Sequence, residues 1–282
     1  MNAEELIAKV PNLPAPSFSV TRLLQLFARP DADHDEVICI VKQDGVLSAK
    51  LLARCNSATF GLASPVGSVD QAVFYLGHSQ IHRIIMAISF GAALNPTLPG
   101  YAIEDGGLWR HSLVTAYATD RVLKATSVNL EPSIAYTAGL IHDIGKVVIS
   151  YALNALSQEL IRQIVYRGEH TFLEAEREVL GVDHAEVGAG LLQQWRLPDS
   201  IIEAVAHHHA PQVKPRPQLS AIVHVADIMA HESGASPGVG SFSLRLDEAA
   251  VEALELGPVE IQNLVIETLD ALDDVQGMLS PA

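Results

Sequence analysis

Apolar residues recur at the three- and four-residue spacing of a helix along almost the whole chain, and the alternating pattern of a strand is scarce. Leu23, Leu24 and Phe27 predict one amphipathic helix after the loop Pro11–Pro16. Asp33 with Glu36 has the spacing of a capping box, and it opens a second helix through Val37, Ile38 and Val41. Val46–Asn56 predicts another, closed by a turn at Gly61–Pro65. Ser68 with Gln71 caps the next, which Gly77 ends, and Ile81–Leu94 follows. Six or so short helices thus fill residues 1–95.

The segment Asn95–Gly107 is rich in Pro and Gly and is the best candidate boundary. Beyond it the periodicity predicts helices near 108–124, 131–150, 154–167, 171–180, 184–195, 198–209 and 217–232. Thr171 with Glu174 forms a further capping box, Gly181 suits a C-cap, and Pro198 suits a first helical turn. Val147–Tyr151 is β-branched enough for a strand, but its helical neighbours argue for helix. A Gly/Ser/Pro stretch, Ser233–Gly240, leads into one or two closing helices. The expected fold is therefore all-α, a multi-helix bundle divided into 1–95, 96–235 and 236–282.

Composition narrows the function. The 282 residues are 49% hydrophobic and 18% charged, which suits a folded globule with a real core. The formal charge of −15 repels phosphate backbones and anionic lipid, so neither nucleic acid nor membrane is an expected partner. A bound cation would reverse that field locally, so phosphorylated small molecules stay open. Two cysteines, Cys39 and Cys55, make neither a disulfide framework nor a Cys-based zinc cluster. With an acidic amphipathic N-terminus and no apolar stretch of spanning length, a cytoplasmic protein is expected.

The candidate chemistry lies in the histidines. There are twelve, and the notable ones read in order His111, the pair His142-Asp143, His184, the run His207-His208-His209, and then Asp227. Imidazole and carboxylate together suit borderline cations such as Fe, Mn, Zn, Co or Ni. Each group falls on a different predicted helix, as in sites built inside helical bundles. His142-Asp143 follows Ala138-Gly139-Leu140-Ile141, and Asp227 stands within Ile222–Met229. Polar groups in such apolar surroundings are costly unless paired or metal-bound. Singly, each has a bland explanation: a core histidine with a hydrogen bond, an Asp paired with a base, or a solvated helix end.

The order H…HD…H…HH…D resembles the HD superfamily of metal-dependent phosphohydrolases, and the chain as a whole resembles its HDOD branch. Leu13-Pro14, QDGVLSAKLLARCNSATFG (43–61) and a segment ending in Tyr75-Leu76-Gly77 carry the likeness in the first half. HDIGK (142–146), DHAEVGAGLLQQWRLP (183–198), IIEAVAHHHAP (201–211) and HVAD (224–227) carry it in the second. The resemblance covers about residues 11–232. It implies an N-terminal helical subdomain packed on an HD-type helical core. It also implies one or two divalent cations, with His111, His142, Asp143 and Asp227 as ligands of one. His184, His208 and His209 match the positions that hold a second, and His207 has no family role. Lys146 matches a position near the substrate phosphate, and Asp143 is the implied bridging ligand and proton acceptor.

The HD-GYP relatives that hydrolyse cyclic di-GMP carry Gly-Tyr-Pro soon after the paired His. Here Ala210–Ser220 reads APQVKPRPQLS, with neither Gly nor Tyr, so that substrate is disfavoured. The HDOD branch is commonly regulatory, and many members lack the ligands that this sequence keeps. Two expectations follow: a regulatory signalling protein acting on partners in trans that retains a divalent-metal site suited to hydrolysis of a phosphoester or nucleotide, with turnover left open, or a catalytically silent interaction module whose metal is structural or absent.

Overall fold

A computed structural model describes residues 1–29, 34–57, 60–166, 170–211, 218–238 and 245–279. The expected cap at Asp33, residues 212–217 of the Ala210–Ser220 segment, and the end of the Ser233–Gly240 stretch lie outside them. The described residues form α-helices and one short 3-10 turn, with no strand among them. An isolated antiparallel bridge joins Leu98 to Ile103.

Five helices fill the first third: α1 (Ala3–Ala8), α2 (Phe18–Phe27), α3 (His34–Gln43), α4 (Gly45–Cys55) and α5 (Val69–Leu94). The Ser68 side chain accepts a hydrogen bond from the Gln71 amide and starts α5, as its spacing predicts. At Gly77 the backbone turns to φ 75°, ψ 162°, a region open in practice to glycine alone. The helix kinks there and resumes rather than ending.

The remainder comprises α6 (Gly107–Ala125), α7 (Pro132–Ile141), α8 (Ile144–Ala152), α9 (Ala155–Tyr166), α10 (Phe172–Leu180), α11 (His184–Gln194), α12 (Asp199–His207), α13 (Gln218–Glu232), α14 (Glu248–Ala253) and α15 (Pro258–Leu279). The Thr171–Glu174 capping box forms, and Gly181 caps α10 at φ 82°. Val147–Tyr151 is helical, within α8.

One expected element is corrected. Residues 131–150 do not make a single helix but break at His142-Asp143, where Asp143 adopts φ −98°, ψ 10°. The cause is tertiary. Helix α8 crosses α11 so closely that a Cβ at Gly145 would stand 1.9 Å from the His184 carbonyl oxygen. Only a chain that changes direction after α7 reaches that crossing, and only glycine permits it.

Helix α6 packs against α7, α13 and α15, while α11 packs against α8 and α12. Helix α1 sits on α8 and α11, with the Met1 ammonium donating to the Leu180 carbonyl at 2.8 Å. A single apolar core runs from Leu6 to Leu264. Among the described residues no helix is long and apolar enough to cross a membrane.

Candidate metal centre

The break between α7 and α8 sets the centre of the site. It places His142 and Asp143 at one point, both buried, instead of about 100° apart around a continuous helix. His111 comes from the first turns of α6, Asp227 from α13 and His184 from the first position of α11. Beyond the last residue of α12, the chain turns and delivers His208 and His209. The eight site residues expected from the sequence thus meet, while His207 is half-buried and belongs to neither donor group.

The donors form two groups. His111, His142 and Asp227 make one; Asp143, His184, His208 and His209 make the other. In the first, His111 Nε2 lies 3.0 Å from Asp227 Oδ1 and 3.3 Å from His142 Nε2. In the second, His184 Nε2 lies 2.8 Å from His209 Nε2 and 3.3 Å from Asp143 Oδ1. Asp143 joins the two, since its other oxygen is 3.5 Å from His142 Nε2. That same Oδ2 accepts from Lys146 Nζ at 2.5 Å.

Hydrogen-bond partners fix the tautomers. A carbonyl oxygen only accepts, so an imidazole nitrogen facing one must carry the proton. His111 Nδ1 faces the Ala235 carbonyl at 3.0 Å, His142 Nδ1 that of Gly139 at 2.8 Å and His208 Nδ1 that of Val205 at 2.7 Å. His184 Nδ1 donates to Glu176 Oε2 at 2.7 Å. In their neutral forms all four rings therefore turn a bare Nε2 lone pair into the site. They meet two carboxylates there, which also offer only lone pairs.

Without a cation this arrangement is mutually repulsive, and the unsatisfied atoms show it. Asp143 Oδ1, Asp227 Oδ1 and His208 Nε2 are buried with no hydrogen-bond partner. Buried acceptors without donors cost roughly 1–3 kcal/mol each. The residues present thus fit a divalent cation, and the chain contains a buried His/Asp cluster able to chelate one.

Electrostatics point the same way. Burial lowers the pKa of His111 to about 4 and that of His208 to about 3, and the neighbouring histidines oppose a second charge. Burial likewise holds His209 well below the usual histidine value. Burial raises a carboxylate's pKa, but Lys146 with the facing imidazoles at Asp143, and the imidazoles of His231, His111 and His142 at Asp227, outweigh it and hold both well below the usual carboxylate range. For Lys146, burial favours the neutral amine, yet the Asp143 carboxylate outweighs it and raises the pKa.

Two contributors have no place in the sequence pattern. Glu176, fully buried on α10, receives both the His184 ring proton and its backbone amide, each at 2.7 Å, while its second oxygen accepts from the Tyr101 hydroxyl at 2.7 Å. A signal existed: Phe172, Glu176 and Leu180 share one stripe of α10, so the Glu stands in an apolar face. The second, His231, lies 3.4 Å from Asp227 Oδ1.

Comparisons with known proteins bear on the fold and the family. A solved HDOD domain protein of unknown function from Geobacter sulfurreducens is 25% identical, with a TM-score of 0.71 over 97% of this chain and 96% of that one. A candidate signal transduction protein from Marinobacter aquaeolei VT8 shares the fold at a TM-score of 0.79 and 20% identity, covering 98% of this chain and 64% of that one. An uncharacterized protein of Treponema pallidum is 27% identical over 205 residues, 72% of this chain and 38% of that protein. Ribonuclease Y of Thermus thermophilus is 30% identical over 146 residues, 52% of this chain and 20% of the enzyme. The chain therefore spans well under half the length of these curated relatives. The HDOD domain profile matches residues 13–211, and the chain belongs to the HDOD domain family.

Proposed function

We propose that this HDOD protein is a metal-dependent phosphohydrolase acting on a phosphoester or nucleotide in a signalling pathway. His111, His142, Asp143 and Asp227 would hold one cation, and Asp143, His184, His208 and His209 a second. The observation that carries this reading is the set of four bare Nε2 atoms turned toward two ionised, partly unpartnered carboxylates. A divalent cation of the Fe, Mn, Zn, Co or Ni type supplies Lewis acidity toward a phosphoryl oxygen and makes water a nucleophile near neutral pH.

The chain's own groups do the rest. Lys146 keeps its proton and has 11% of its side chain exposed, so it brings positive charge to the rim of the nest. There it would neutralise charge developing on a phosphoryl group. Asp143, with one oxygen toward each donor group, would take the proton of an attacking water. His209, half-buried, marks the same accessible edge.

The ribonuclease Y likeness supports phosphodiester chemistry, whereas a net charge of −15 opposes binding a long RNA backbone. A small phosphoester is therefore the favoured substrate. A second reading, a silent docking module, draws on the N-terminal helices, where Phe18 and Phe74 are each 83% exposed. In our division, residues 1–95 would serve partners in trans, 96–235 would carry the metal nest, and 236–282 would extend it.

The test is hydrolysis of bis(p-nitrophenyl) phosphate and a nucleotide panel by the full chain with added Mn²⁺ or Fe²⁺. The phosphohydrolase reading expects turnover that chelator removes and that Asp143→Ala reduces to background. Turnover unchanged in Asp143→Ala would reject it, and no turnover with metal bound would favour the docking module.

A further inference from the structure

His231 stands one helical turn beyond Asp227 on α13, outside the family's ligand order. Its ring centroid is 4.7 Å from that of His111, and its Nε2 is 3.4 Å from Asp227 Oδ1. Helix α13 ends in a turn at Gly234, where the Ala235 amide returns to the Ala230 carbonyl at 3.0 Å. The chain folded back by this turn meets both rings at once. Ala235 presents its carbonyl to His111 Nδ1, and the Ser236 hydroxyl lies 3.1 Å from His231 Nδ1.

The difference between those two partners matters. Three imidazoles surround Asp227 Oδ1: His111, His142 and His231. In their neutral forms the first two have committed their ring protons to carbonyls and turn bare nitrogens toward the carboxylate. A hydroxyl, by contrast, donates as readily as it accepts. His231 Nδ1 can accept a hydrogen bond from the serine O–H and carry the ring's own proton on Nε2, facing Asp227.

We propose that His231 is a positioning residue for Asp227: its Nε2–H faces Oδ1 at 3.4 Å, short of a formed hydrogen bond, and its dipole orients the carboxylate toward His111 and His142. In doing so it sets the chain's affinity for a divalent cation on that side of the nest. This rests on the metal-binding reading above. Glu176 holds His184 on the opposite side by the converse arrangement, a carboxylate fixing an imidazole. Each donor group then has its own outer partner, and neither partner is interchangeable with the other.

The experiment is a calorimetric titration of the chelator-stripped full chain with Mn²⁺, paired with visible absorption of the Co²⁺-loaded protein. His231→Leu removes the donor and is expected to weaken one cation position by about 10- to 100-fold while leaving the other unchanged. His231→Gln keeps an N–H donor and should restore most of that affinity with an unaltered Co²⁺ spectrum. Ser236→Ala removes only the hydroxyl. It should give a smaller loss at the same position, and carries the test if His231→Leu does not fold. Unchanged affinity in His231→Leu, or in Ser236→Ala where that variant carries the test, would overturn the proposal. So would a His231→Gln variant as weak as Leu with a shifted Co²⁺ spectrum, which would make the ring a ligand. Wild-type protein that takes up no cation would overturn the metal reading itself, and this inference with it.

Discussion

The first five helices and the rest of the molecule bury different things. Among the described residues 1–95, His82 is the one fully buried polar side chain, set in a core of Leu, Ile, Val and Phe. Residues 107–233 bury His111, Asp143, Lys146, Glu176, His208 and Asp227, besides several hydroxyls. Buried charge opposes folding unless paired, so a sequence that keeps so much of it retains it for another purpose. The contrast teaches where selection for stability gives way to chemistry. The N-terminal helices are packed for solidity, and the α6–α13 region accepts an electrostatic cost around one point.

That contrast can be broken in graded ways. The largest effect is expected from Gly145→Ala, whose new Cβ would meet the His184 carbonyl oxygen at 1.9 Å and the Gly188 amide at 2.7 Å. Helices α8 and α11 must then part, carrying Asp143 and His184 away from each other. A loss of about 4 kcal/mol in urea unfolding is expected, with loss of the His184-side cation in a titration. Leu51→Ala sharpens the comparison from the other side. Leu51 is fully buried on α4, and its removal should cost about 3 kcal/mol while cation affinity stays at the wild-type value. Metal binding weakened as much by Leu51→Ala as by Gly145→Ala would refute the division of labour.

The third effect vanishes at neutral pH and grows only in acid. Burial, with Arg83 adding to it, lowers the pKa of His82 to about 3 from an ordinary 6.5. The ring packs against Phe27 and Tyr136, and its Nε2 lies 3.4 Å from Thr137 Oγ1. Below pH 6.5 the unfolded chain binds a proton that the native ring refuses. His82 therefore costs no stability above that pH and progressively more as pH falls toward 3. His82→Leu should flatten the acid limb of the stability curve by up to about 1.4 kcal/mol per pH unit. Parallel wild-type and variant curves from pH 6.5 to 4 would contradict this.

Local signals were legible in the sequence, and tertiary ones were not. The caps at Ser68 and Thr171 follow from side chains three residues from their partners, so spacing alone predicts them. The break at His142-Asp143 has no such signature. Apart from His142, Asp143 and Lys146, residues 138–149 are apolar on every side and give periodicity no phase to lose. The cause of the break, the crossing at Gly145, involves a helix some forty residues away. Family order brought His111 together with Asp227, which no local pattern could do. The groups that orient the donors divide similarly. Glu176 betrays itself by standing in an apolar stripe, whereas the carbonyls of Gly139, Val205 and Ala235 carry no side-chain mark. His231, next to Glu232 at the end of α13, reads as a solvated helix terminus.

The most direct measurement is elemental analysis of the full chain purified without chelator, alongside Asp143→Ala. Because Asp143 faces both donor groups, the account predicts roughly two divalent ions per wild-type chain and near-complete loss of both in the variant. Wild-type protein free of metal and unable to take it up on dialysis, or a variant that retains both ions, would contradict it.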